Sequence, residues 1–270
     1  GDSLIPVSSD AREASSASWS RDSKQLAIVT RPTGNQDDLG PQNTLQVVNV
    51  ATPRSARAVP GVPPTVSSVS WSPDGTWFAF EAQTMHDAPP GISDLFVMAT
   101  AGGQLRDVTE RTGIEVSGRA EWATDGSAVY LTRQSGTEAH LARVDLADGR
   151  AQVLTTAFLA NSAFATNAAH TGWAFIGQAS DRPPEVEYVA GFNAGGAPVR
   201  LTRVNPQLAD TEWVGGEAAS WKSTDALQIH GLLFVPARAG CDGVARRARV
   251  PLIVNVHGGP TGVYTQAFSP

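Results

Sequence analysis

The residues His257-Gly258-Gly259-Pro260 follow directly on the apolar run Pro251-Leu252-Ile253-Val254-Asn255-Val256. An apolar strand that breaks into a Gly-Gly pair presents backbone N–H groups at its carboxyl end. Glycine lets the chain turn there without a Cβ penalty and lets a substrate oxygen come close to the main chain. Those are the requirements of an oxyanion hole, in which donors point to where negative charge develops during acyl transfer. The same four residues also make an ordinary strand-ending turn, and taken alone the motif leaves both readings open. What precedes it decides how much chemistry it can carry.

Upstream the chain repeats itself. Ala17-Ser18-Trp19-Ser20-Arg21-Asp22-Ser23-Lys24-Gln25-Leu26-Ala27-Ile28 aligns with Val69-Ser70-Trp71-Ser72-Pro73-Asp74-Gly75-Thr76-Trp77-Phe78-Ala79-Phe80. A third copy begins Ala120-Glu121-Trp122-Ala123-Thr124-Asp125-Gly126. The anchors Trp19, Trp71 and Trp122 are 52 and 51 residues apart, a period that suits a propeller blade and is too long for a leucine-rich or ankyrin unit. Within each copy the Trp strand runs into Ser-x-Asp-Gly, where Asp bonds its own backbone and Gly supplies a positive φ, so the chain reverses into an apolar strand. A second hairpin follows, with first strands expected at Leu45 to Val50, Asp94 to Ala99 and His140 to Leu146. In the later two copies Ala101-Gly102-Gly103 and Ala147-Asp148-Gly149 make the turns to short outer strands. Four strands per period is a propeller blade. A degenerate fourth copy is expected from Asn161 to Val204, with the turn Asn167-Ala168-Ala169-His170-Thr171-Gly172 and the second strand Trp173-Ala174-Phe175-Ile176.

In this frame the three Trp residues are expected to pack between blades, and Asp22, Asp74 and Asp125 are turn residues and not acids or metal ligands. His86 and His140 have no second His, Cys or carboxylate at a metal-ligand spacing, so neither receives a role and no metal site or cofactor is expected.

Composition narrows the class. The 270 residues are 41% hydrophobic and 17% charged, with 26 Gly and 18 Pro, a turn-rich globular profile. A net charge of −6 argues against nucleic acid or an anionic membrane as partner, because phosphates must be met by clustered Lys and Arg. The one basic run, Arg246-Arg247-Ala248-Arg249, reads as a solvated loop. A single Cys241 excludes an internal disulfide and a multi-Cys zinc site, and leaves periplasm and cytoplasm both open. The start Gly1-Asp2-Ser3 carries no basic, apolar leader, so a secretory signal is either absent or already removed. No run reaches the roughly 18 apolar residues that span a bilayer.

At Leu201-Thr202-Arg203-Val204-Asn205 the blade pattern stops. Ala219 to Ser223 and Leu227 to Pro236 form a hairpin about Thr224-Asp225, a polar loop runs from Ala237 to Arg249, and a buried strand is expected from Pro251 to Val256. The Trp-Ser-x-Asp-Gly blades, the Leu-Thr-x-x-Asn exit, this hairpin and Pro-Leu-Ile-Val-Asn-Val-His-Gly-Gly-Pro together resemble the prolyl oligopeptidase family of serine peptidases, nearest its acylaminoacyl-peptidase and dipeptidyl-peptidase branches.

The resemblance implies a mainly β chain. Residues 1–205 would be about four blades of an incomplete β-propeller, and residues 206–270 the first strands of an α/β-hydrolase domain, which follows with an HGGG-type donor motif. It implies hydrolysis of short peptides by acyl transfer from a Ser, with His as general base and Asp orienting it. No G-x-S-x-G occurs in these residues, so the triad is expected outside them and the remainder of the same polypeptide is the expected partner. What this chain would supply, by the resemblance, is part of the oxyanion hole. The Gly259 N–H would be one donor, with His257 where some relatives place a Tyr whose hydroxyl donates to the same oxygen. The competing class is a non-catalytic β-propeller that binds a protein partner.

Overall fold

The computed structural model describes residues 6–7, 12–32, 42–83, 92–110, 112–191, 197–208, 211–235, 251–258 and 262–269. His86, Cys241, the basic run 246–249 and Gly259 lie outside the described residues. Among those described there is no α-helix, only the three-residue 3-10 turn Pro206–Leu208; the rest is strand, turn and loop.

The period-two alternation of the sequence becomes four-stranded antiparallel blades. In the first, β1 (Arg12–Trp19), β2 (Gln25–Pro32), β3 (Thr44–Asn49) and β4 (Arg57–Ala58) pair in chain order. The second repeats this with β5 (Ser70–Trp71), β6 (Trp77–Gln83), β7 (Ser93–Ala99) and β8 (Arg106–Asp107). In the third, β9 (Glu115–Trp122), β10 (Ala128–Ser135) and β11 (Glu138–Asp145) pair in order, with β12 (Ala151–Val153) on β11. The expected fourth copy is present as β13 (Ala160–Thr166), β14 (Gly172–Ala179), β15 (Arg182–Ala190) and β16 (Val199–Arg200), antiparallel among themselves; a single parallel pairing, Ala139 of β11 with Ala160 of β13, joins the third and fourth copies in one eight-stranded sheet.

Blades stack because their strands are apolar on both faces. Along β6 and β7, Phe78, Phe80, Phe96 and Met98 join Ala27, Val29, Leu45 and Val47 of the first blade in one core cluster. The alternate residues Ala79, Leu95 and Val97 join Val116, Ala120, Trp122, Val129 and Leu131 of the third. A strand whose neighbours in sequence point to opposite faces fills two cores at once, so the second blade reads as nearly continuous apolar sequence.

The Ser-x-Asp-Gly turns are closed networks. Ser72 Oγ donates to Asp74 Oδ1 at 2.6 Å and accepts from the Trp77 N–H at 2.9 Å, while Thr76 donates both its N–H and its hydroxyl to the Asp74 carboxylate. Gly75 and Gly126 take φ of 77° and 72°; the first copy places Ser23 there at 56°, a conformation that costs an L-residue energy. The Ser72 hydroxyl, then the Thr76 hydroxyl and N–H, hold the Asp74 carboxyl at about 2, below its ordinary 3.8. Because the folded-state value is depressed, its contribution to stability is present above about pH 4 and fades as pH falls from there to 2. The carboxylate is exposed and screened, so the contribution stays below about 1 kcal/mol. Asp74→Asn is therefore expected to melt slightly below the parent at pH 6, with the gap closing by pH 2; a gap that persists at pH 2 would mean the turn depends on shape and not on charge.

The chain divides into two compact units, residues 1–133 with 142–152 and residues 134–141 with 153–270. The first holds the first two blades and most of the third. The second holds the fourth blade, the hairpin β17 (Glu217–Lys222) and β18 (Gln228–Leu233), and the described carboxyl-terminal residues.

Two expectations are corrected. Trp122 is 5% exposed and Trp71 half-buried, as packing between blades requires, but Trp19 is 54% exposed. No blade precedes it among the described residues. The run Pro251–Val256 is not a buried strand: it pairs with no strand, and Leu252, Ile253, Val254 and Val256 are 74%, 90%, 72% and 78% exposed. An apolar run becomes a strand only between partner strands, and none adjoins it among the described residues.

Candidate functional site

The candidate site is built in the second unit, where the chain leaves the fourth blade. Glu185 of β15 fixes the exit. Its carboxylate accepts from the Thr202 hydroxyl at 2.5 Å and from the Val204 N–H at 3.0 and 3.1 Å, and the Thr202 hydroxyl accepts from the Val186 N–H at 2.9 Å. Burial opposes ionisation of Glu185, but the Thr202 hydroxyl and the N–H groups of Val204 and Asn205 outweigh it and hold the carboxyl below its usual range. The Leu-Thr-x-x-Asn exit thus works through one buried carboxylate that the sequence reading had not singled out.

Beyond it, the β17–β18 hairpin closes on a shortened relative of the blade turn. Ser223 donates its hydroxyl to Asp225, Ala226 N–H reaches Ser223 O at 3.0 Å, and Ala226 takes the positive φ of 68°. Behind the hairpin, Gly216 N–H donates to Ser180 Oγ at 2.7 Å. The hairpin keeps large apolar groups in solvent: Trp221 is 53% exposed and Leu227 63%.

His257 and Gly258 are the described part of the candidate oxyanion motif, and both are exposed. His257 Nδ1 lies 3.4 Å from Gly258 O, and its ring meets Tyr264 edge to face with centroids 6.1 Å apart. The chain folds back so tightly that a Cβ on Gly262 would collide with the Gly258 carbonyl. The following residues are tied down: Gln266 N–H donates to Thr137 O at 2.8 Å, Phe268 N–H to Gln178 Oε1 at 3.2 Å, and Phe268 packs on Trp213 with centroids 4.8 Å apart. Tyr264 was missed in the sequence because only this fold-back brings it to His257. Gly259, the expected backbone donor, lies outside the described residues.

His140, given no role from sequence, is buried, with Nε2 2.9 Å from Glu138 Oε2 and Nδ1 3.5 Å from Asn161 Nδ2. Asp22, Asp74 and Asp125 all serve turns. Among the described residues no group of three or more His, Cys, Asp or Glu is placed to hold a metal ion.

Blades of four antiparallel strands at a fifty-residue period, packed face to face, define a chain of the β-propeller class. No family model matches the sequence, and no curated protein matches it. Among solved structures it is similar to a puromycin-hydrolysing peptidase of Mycobacterium tuberculosis, with a TM-score of 0.62 and 16% identity over 82% of this chain and 34% of that one. It is also similar to TolB of Acinetobacter baumannii (TM-score 0.55, 21% identity, 82% of this chain and 54% of that one) and to a chain of the nidogen/laminin complex (0.54, 8%, 85% and 74%). At these identities the likeness is one of fold. The chain spans about a third of the length of the peptidase and about half that of TolB.

Proposed function

We propose that residues 1–205 belong to the propeller of a serine peptidase of the prolyl oligopeptidase type, and that residues 206–270 begin its α/β-hydrolase domain. The observation that carries this reading is the exposed, unpaired run Pro251–Val256 leading into His257-Gly258. Four apolar side chains left in water are unfavourable by roughly 25 cal/mol per Å² of apolar surface, and a parallel sheet with helices on both faces would bury them. The similarity of the blades to those of a puromycin-hydrolysing peptidase agrees with it. In this reading the substrate is a short peptide, the triad lies outside these residues, and Gly259 N–H, with His257 beside it, faces the developing oxyanion.

A second reading is a non-catalytic propeller that binds a protein partner, and the TolB and nidogen/laminin similarities fit it equally well. The polypeptide downstream of Pro270 separates the two: a G-x-S-x-G within about a hundred residues supports the peptidase and its absence the binder. The 270-residue chain alone is expected to turn over no aminoacyl or dipeptidyl chromogenic substrate, since it holds no G-x-S-x-G nucleophile. Turnover by the purified chain that survives mutation of His257 would overturn the assignment.

A further inference from the structure

We propose that Glu81 is a pH-sensitive fastener between the second and third blades, holding their joint more tightly with a proton than without one. The strand β6 puts it there. Ala79, two residues earlier, belongs to the apolar cluster that joins these blades, and so does Leu95, the cross-strand partner of Glu81 on β7; the alternation of the strand therefore turns Glu81 toward the third blade. What it meets is backbone. Gly118, at φ of 80° within β9, donates its N–H to Glu81 Oε2 at 3.0 Å, and the Gly118 carbonyl accepts from the Ser68 hydroxyl at 3.3 Å. Ser68 Oγ in turn accepts from the Glu81 N–H at 3.3 Å, so both backbone groups of Gly118 are held from the second blade.

The remaining partners of the carboxylate are the hydroxyls of Ser93 and Ser67. A hydroxyl can reverse its role and an N–H cannot: serine donates to an ionised carboxylate and accepts from a protonated one. One oxygen of Glu81 can thus keep Gly118 while the other shares a proton with a serine. The charges around it disfavour the anion. Glu115 of β9 faces Glu81 and repels it, and Glu115 is itself beside Asp94 of β7, which in turn neighbours Asp107 of β8. Burial pushes the Glu81 carboxyl above its ordinary 4.5, the hydrogen bonds from Ser93, Gly118 and Ser67 offset only part of this, and Glu115 adds to the rise. Because the folded-state value is raised, the stability that the proton contributes is fully present below the unfolded value of 4.5 and is lost as pH rises through the folded one.

Glu81→Gln makes the proton permanent, since its amide oxygen can accept from Gly118 and its NH2 can donate to a serine. In the 270-residue chain this variant is expected to melt about 2 °C or more above the parent at pH 7.5, with the gap shrinking to less than half at pH 4. A variant that melts below the parent at pH 7.5 would make Glu81 an ordinary ionised acceptor and overturn the proposal, and so would a gap equal at both pH values. Hydrogen exchange ties the effect to the joint. Protection of the Gly118 amide, taken as the ratio of Glu81→Gln to parent, is expected to be severalfold at pH 7.5 and close to one at pH 4. A ratio near one at both pH values would place the effect elsewhere in the chain and overturn the proposal.

Discussion

Gly259→Val in the complete polypeptide is expected to lower kcat by about a hundredfold or more while leaving Tm nearly unchanged. The expectation rests on the peptidase reading. If the Gly259 N–H is a donor to the tetrahedral intermediate, a branched side chain at that position crowds the substrate carbonyl and displaces the donor where charge develops. Removing one such donor typically costs about 2.7–4 kcal/mol of transition-state stabilisation. The loss should fall on kcat more than on KM, because the interaction strengthens in the transition state. Steady-state kinetics on a chromogenic dipeptide, with a thermal melt of the same sample, checks it. A folded variant with full kcat would make His-Gly-Gly-Pro an ordinary turn.

The largest effect on stability is expected from Phe80→Ala. Phe80 is fully buried and stacks on Phe96 with centroids 5.9 Å apart, within the cluster that joins the first and second blades. Truncation of such a ring costs about 3–5 kcal/mol, because the cavity adds to the lost transfer energy. In a chain of this size that corresponds to a fall in Tm on the order of 6–20 °C. Thermal or urea unfolding followed by Trp fluorescence measures it. A loss under about 1 kcal/mol would mean that the face between these blades is not closely packed.

The blades were legible in the sequence because each signal is local. Alternating apolar residues give strands, and Ser-x-Asp-Gly gives a turn whose donors and acceptors lie within five residues, as Ser72, Asp74 and Trp77 demonstrate. The fourth blade was legible by its spacing, although His170, with φ of 53°, stands in for glycine in its first turn. What escaped is long-range. The indole of Trp122 finds its acceptor 52 residues upstream, and Glu185 gathers a hydroxyl and an N–H from the chain 17 and 19 residues on. The repeat period points to the neighbouring blade but not to the carbonyl that the indole meets there, and no spacing points to Glu185. The reading of Pro251–Val256 as a buried strand failed for a different reason. Hydrophobicity reports what a segment prefers, and burial depends on partners that must be adjacent in space. The candidate site was legible as a motif, while Tyr264 reaches His257 only through the fold-back at Gly262.

At two joints among the first three blades the indole hydrogen bond runs one way: Trp71 Nε1 donates to Ser18 O and Trp122 Nε1 to Ser70 O, so the donor is on the later blade and the carbonyl on the earlier. During synthesis the earlier blade leaves the ribosome first, so each new Trp emerges to find its carbonyl partner already displayed. The stack can therefore grow vectorially, one blade templating the next.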